Sequence, residues 1–261
     1  MILFLAVLFS AAMLWQGTGA SAAEGGEQLK AGTVNVAVYM LGGDLERDSG
    51  AASADLNEIM RARWQGGTAV FIATGGAEHW TFSGELDSRA CFSRLLEEKI
   101  TVERSLQDRI SDGETLRAFL VWCAEQRAAD VTVLILWGHG MKDPAGIGTD
   151  LTAEKQTLTL AEIASAVEQS RVQVDVIGMD ACSMAGAETV RAMKSSCGYL
   201  VVSEDEEALE GWPYHHLAEI MTGNAEQIAM NMADCVNTDR IRKGKPAGLT
   251  VIRMNGEERE P

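Results

Sequence analysis

The sequence predicts an α/β fold, a largely parallel sheet with helices on both faces, plus a small β-hairpin region. Three observations predict it. Short β-branched apolar runs bounded by glycine recur along the chain, as buried strands do. Segments with helical apolar spacing lie between them. The alternation of the two implies crossover connections and mainly parallel pairing. With 261 residues the chain is long enough to build one such domain with a substantial core.

The elements follow in order. Residues 34–40 (VNVAVYM) and 69–74 (AVFIAT) read as buried strands. Between them, over 48–64, Leu56, Ile59, Met60 and Trp64 give an amphipathic helix. The segment 78–106 alternates without helical period and reads as the hairpin region. Residues 111–126 open on a Ser-Asp N-cap signal and continue with Leu116, Phe119, Leu120 and Cys123 at helical spacing. VTVLILW, 131–137, is the third strand; 158–170 is a helix with Thr159 and Glu162 at capping-box spacing. A fourth strand is expected over 172–179, a helix over 183–195, a fifth strand over 198–204, helices over 212–221 and 225–237, and a possible sixth strand over 249–254.

Residues 1–23 stand apart. An apolar run ending in Ala20-Ser21-Ala22 predicts a secretory signal peptide, followed by a flexible linker over 24–33, the folded domain over 34–254 and a polar tail over 255–261. The expected location is secreted or on the exterior of the cell envelope, with no membrane association after signal removal. A formal net charge of −16 argues against nucleic acid or an anionic membrane as partner. Five widely spaced cysteines without a CxxC pair exclude a zinc ribbon or redox motif. Asp44, Glu46 and Asp48 could offer oxygen ligands to calcium, but no EF-hand loop surrounds them. Metal and cofactor are therefore expected to be dispensable. His215 and His216 read as a solvated turn, and His79 is isolated in the hairpin region.

Two positions carry chemistry. His139 follows the third strand between Gly138 and Gly140, and Cys182 follows the fourth. In an open α/β sheet, reactive groups collect at the carboxyl ends of strands, so neighbouring strands would bring this pair together. A thiolate is the nucleophile, and an imidazole beside it can take the proton and return it to a leaving amine. A helix beginning at Cys182 would favour the thiolate through its positive end. The amides of Gly140 and Cys182 could hold an oxyanion.

A hydrophobic block ending in His-Gly, followed by one ending in Ala-Cys, resembles the signature of the caspase-like clan of cysteine peptidases. Within it, NVAVYMLGGDLE, LILWGHG, VDVIGMDACSMAGAETV and SEDEEALEGWPYH resemble the blocks of the clostripain family, in that family's order. The resemblance spans residues 34–254 and implies a caspase-like peptidase domain. It makes His139 the general base and Cys182 the nucleophile. Asp180 would line a pocket for Arg or Lys at P1 of a protein or peptide substrate, and Lys155 is the candidate for self-cleavage, ahead of Lys142. Family members extend beyond the end of this chain, and HGMKDPAGIG lacks a Gly-rich stretch after the His-Gly pair. A truncated, non-catalytic caspase-like binding module is the alternative expectation.

Overall fold

The computed structural model describes residues 32–254 apart from 84–85, 143–144 and 208. The signal-peptide and tail expectations lie outside the described residues. The central feature is an eight-stranded sheet in the order β11-β10-β9-β5-β1-β2-β3-β4. Its strands are β1 (Val34–Leu41), β2 (Thr68–Gly75), β3 (Cys91–Leu96), β4 (Lys99–Ser105), β5 (Val131–Trp137), β9 (Val176–Asp180), β10 (Tyr199–Ser203) and β11 (Leu249–Arg253). The five inner strands, from β2 to β10, pair in parallel; β11 at one edge and the β3–β4 hairpin at the other run antiparallel. A sheet buried on both faces explains why its inner strands read as continuous apolar runs rather than alternating ones.

Alternation along the strands nevertheless separates two cores. On one face Leu134, Leu136, Ile177 and Met179 pack with α3 (Gly113–Gln126), α4 (Leu160–Ser170) and α5 (Ala187–Met193). On the other Val133, Ile135, Trp137 and Val176 pack with α2 (Ala51–Arg61), α6 (Tyr214–Ile220) and α7 (Ala225–Arg242). Local signals set several helix starts. Asp112 caps α3 by accepting from the Glu114 amide, and the Thr159/Glu162 capping box opens α4 as its spacing predicts.

Two expectations change, and one small sheet was not foreseen. The helix foreseen over 48–64 is α2 and is shorter, and a separate helix, α1 (Gly43–Ser49), precedes it, set off at Gly50, which takes a left-handed conformation (φ 69°). The hairpin occupies only 91–105, turning at Glu97 and Glu98. The polar stretch after His139 forms a second, three-stranded antiparallel sheet of β6 (Gly140–Lys142), β7 (Ala145–Asp150) and β8 (Gln156–Thr159), with a single 3₁₀ turn over Leu151–Ala153. Among the described residues no helix is long and apolar enough to cross a membrane. All five cysteines are unbridged.

Candidate active site

β5 and β9 are neighbours, paired in parallel with Trp137 opposite Asp180. His139 and Cys182 each lie two residues past that pair, so both leave the sheet at one level. Backbone contacts fix them there. Gly138 donates to the Asp180 carbonyl at 3.2 Å, and the His139 carbonyl accepts from Gly148 at 2.7 Å. Gly138 takes φ 150°, and a Cβ there would press on Gly148. The two glycines beside the histidine are thus demanded by close backbone approach.

Gly140 packs directly on the Cys182 peptide, where an added Cβ would collide with the Cys182 carbonyl and lie 3.0 Å from its nitrogen. Because the obstacle is backbone, a Gly140→Ala chain must shift one strand end against the other, at a cost of about 1–3 kcal/mol. For a domain of this size that is a drop of roughly 2–12 °C in melting temperature. Calorimetry of the variant checks it, and an unchanged transition would mean the contact is loose.

Beyond Cys182 the chain turns sharply. Ser183 sits at φ 55° and donates to the Asp205 carbonyl, and Ala185 donates to the Ser203 carbonyl. The expected helix start at Cys182 is corrected here: α5 begins at Ala187 with Gly186 as its N-cap. A left-handed residue directly after Cys182 is incompatible with a helix beginning there, so its dipole does not reach the sulfur. A different donor does. The Glu207 amide lies 3.2 Å from Cys182 Sγ and complements negative charge on it.

Below the sulfur lies a cavity of about 220 Å³, lined among others by Leu45, Trp137, Asp180, Glu207 and Leu209. Asp180 is 4% exposed, and its Oδ2 accepts from the Trp212 amide (3.2 Å) and the Tyr214 hydroxyl (3.0 Å). Burial, reinforced by the charge of Glu207, raises its carboxyl to about 8. Asp55 of α2 faces it across Gly211, where an added Cβ would lie 2.6 Å from Asp55 Oδ2 and 3.2 Å from Asp180 Oδ2. Burial and then the Asp180 charge raise Asp55 as well, against the 2.7 Å hydrogen bond it accepts from Trp137 Nε1. Two carboxyls this close, in a dry setting, favour holding at least one proton.

Glu207 is the second acid of the cavity. Its Oε2 accepts from Arg240 at 2.8 Å, with both side chains under 8% exposed. Its Oε1 is buried and has no aligned partner, although Ser203 and Trp212 lie near enough to oppose the upward push of burial on its carboxyl. Sequence inspection missed Asp55 and Glu207. Asp55 carried a signal, a carboxylate at the same helical position as buried Ala51 and Ile59.

The remaining candidates disperse. Asp44 lies beside His139, Glu46 is buried against Ser53 and Thr81, and Asp48 pairs with Arg47, so the acidic trio points three ways. Among the described residues no cluster of three or more His, Cys, Asp or Glu side chains suits a metal ion. His215 meets Glu58 at 3.0 Å and its ring lies 4.0 Å from that of His216, while His79 is exposed. Lys142 ends β6, and Lys155 stands exposed in the tight turn before β8, at φ 63°.

Residues 38–253 match the sequence model of the clostripain family, Peptidase_C11. Among solved structures, the fold is similar to a secreted C11 cysteine protease from Bacteroides thetaiotaomicron in complex with an irreversible peptide inhibitor. That match has 19% identity and a TM-score of 0.68, over 85% of this chain and 66% of the other. An inactive zymogen C11 protease from Parabacteroides distasonis matches at 20% identity and a TM-score of 0.62, over 85% and 62%. The chain thus spans about two thirds of the length of these relatives. No curated protein sequence matches it.

Proposed function

The chain belongs to the clostripain family, and from that premise we propose that it is a cysteine endopeptidase cutting after Arg or Lys. The observation that carries the reading is the convergence of the His139 and Cys182 strand ends over an acid-lined cavity. In this reading the Cys182 thiolate attacks the scissile carbonyl carbon. Amides at Gly140 and Cys182 receive the oxyanion, and His139 hands its proton to the leaving amine. Water, deprotonated by His139, then releases the acid product and restores the thiol. Trp137, Leu45 and Leu209 give apolar walls for the stem of a long basic side chain, and Asp180 and Glu207 lie at hand for its charge.

An irreversible peptide electrophile with Arg at P1 tests the reading. It should add its mass to the peptide containing Cys182 and to no other cysteine, and Cys182→Ala should remain unmodified. Absence of labelling in the unsubstituted protein would favour the non-catalytic module.

Self-processing at Lys155 is part of the proposal. Exposure supports it, and so does the existence of an inactive zymogen among similar structures. Cleavage would require the four-residue strand β8 to open, because a left-handed turn does not fit an extended substrate groove. The same pair of proteins reads this out, since the fragment ending at Lys155 should form only where Cys182 is intact. Export is proposed from the apolar leader and from the secreted similar protease. Secreted material beginning near Ala23 is the expected result.

A further inference from the structure

We propose that Asp44 is a positioning residue for His139, so that the site works as an Asp–His–Cys relay rather than a dyad. The inference rests on the reading of His139 as general base. Asp44 Oδ1 lies 3.2 Å from His139 Nε2. That oxygen is buried and has no aligned hydrogen-bond partner, although the side chain as a whole is 40% exposed. One carboxylate oxygen therefore faces the imidazole and the other side of the group faces solvent. A buried, unsatisfied carboxylate oxygen is costly unless a donor or cation forms beside it. The imidazolium produced when His139 takes the thiol proton is such a cation. Close approach without full alignment is also usual for catalytic hydrogen bonds before substrate binds.

The scaffold behind Asp44 is rigid. α1 starts two residues beyond β1, where Gly42 donates to the Gly75 carbonyl, and Gly43 at φ 50° is pressed against the Thr149 carbonyl. Glu46, fully buried one turn on, accepts from the Ser53 amide and hydroxyl (2.8 and 2.6 Å) and from the Thr81 amide and hydroxyl (2.6 and 3.1 Å). These bonds tie α1 to the start of α2 and to the loop after β2. Asp44 is thus held against the histidine by groups that do not depend on the contact itself. A proton on Nε2 directed at Asp44 leaves the Nδ1 lone pair to receive the Cys182 proton, which is the tautomer the reaction needs.

The test is a double-mutant cycle of Asp44→Asn and His139→Ala with two readouts: cleavage of an Arg-P1 peptide and the alkylation rate of Cys182 by iodoacetamide. Asparagine keeps the shape and removes the charge. Asp44→Asn should lower kcat about tenfold to a hundredfold with KM changed less than about threefold, because it acts on proton transfer rather than substrate binding. It should also slow alkylation about threefold to tenfold. In the His139→Ala background the same substitution should change alkylation by less than about twofold. Equal effects in both backgrounds, a change confined to KM, or no effect on kcat or alkylation in the parent would overturn the proposal. If the parent protein cleaves no peptide, the peptidase reading fails, whereas the alkylation cycle still decides whether Asp44 acts through His139.

Discussion

Replacing Cys182 by alanine should reduce cleavage of an Arg-P1 peptide by about 10⁴-fold or more, while the melting temperature moves by no more than a degree or two. The rate follows from the proposed role of Cys182 as nucleophile, whose loss would leave only binding and oxyanion contacts. The intact stability follows from position: Cys182 is partly exposed at the mouth of the cavity and absent from either core. The other thiols provide the contrast. Burial pushes Cys197 up to about 12 and Cys235 up to about 11, and raises Cys123 well above the ordinary thiol range. At neutral pH these three stay protonated and unreactive. Cys91 is buried in the sheet, where its sulfur accepts from the Asp87 amide. Cys91→Ala or Cys123→Ala should therefore lower stability and leave kcat/KM close to that of the parent. Steady-state kinetics beside calorimetry separates the two outcomes; surviving activity in Cys182→Ala would move the nucleophile elsewhere.

The second large effect is on substrate choice. Above about pH 8, where Asp180 is ionised, Arg should be preferred over its uncharged isostere citrulline at P1 by about a thousandfold in kcat/KM, because a neutral side chain then leaves the buried Asp180 carboxylate without a cation. Asp180→Asn should cut that ratio to roughly tenfold while the protein stays folded, since an asparagine oxygen can still accept from Trp212 and Tyr214. Glu207→Gln should reduce it further in combination. The pH dependence has a definite sign. In the empty cavity the raised Asp180 carboxyl holds its proton below about pH 8. A bound guanidinium favours the ionised form, so binding expels the proton, and this cost shrinks as pH rises. The Arg-to-citrulline ratio should climb with pH and flatten above about 8. Asp180→Asn should remove most of that slope. Taking the ratio on one enzyme cancels the titration of the catalytic pair. A flat ratio in the parent, or an Arg preference untouched by Asp180→Asn, would place the specificity in other residues.

Much of the scaffold was legible from local pattern. β5 reads from VTVLILW with the bounds observed, and the Thr159/Glu162 box marks the start of α4. These features need only side-chain period and hydrogen bonds spanning a few residues. The helix after Cys182 was misplaced by several residues, because apolar Met184 continues a helical pattern that the left-handed Ser183 interrupts. The small β6–β7–β8 sheet also escaped. Its strands are three to six residues long and partly polar, so pairing between them, rather than composition, makes them strands.

The sequence by itself determined that a histidine and a cysteine stand at the carboxyl ends of two apolar strands, each followed by a turn. A strand's end and the direction of its side chains are local properties, and the general rule for α/β sheets did the rest. Only the tertiary structure decided what surrounds them. Trp137 reaches Asp55 over 82 residues of sequence, Tyr214 reaches Asp180 over 34, and Arg240 reaches Glu207 over 33. Asp44 arrives beside His139 because β1 lies next to β5 and α1 is locked by Glu46. Such contacts depend on strand order and on which loop packs over which strand end. No periodicity within a window of a dozen residues encodes them, because the energy that selects them is gained only when distant segments close around a shared, partly dry cavity.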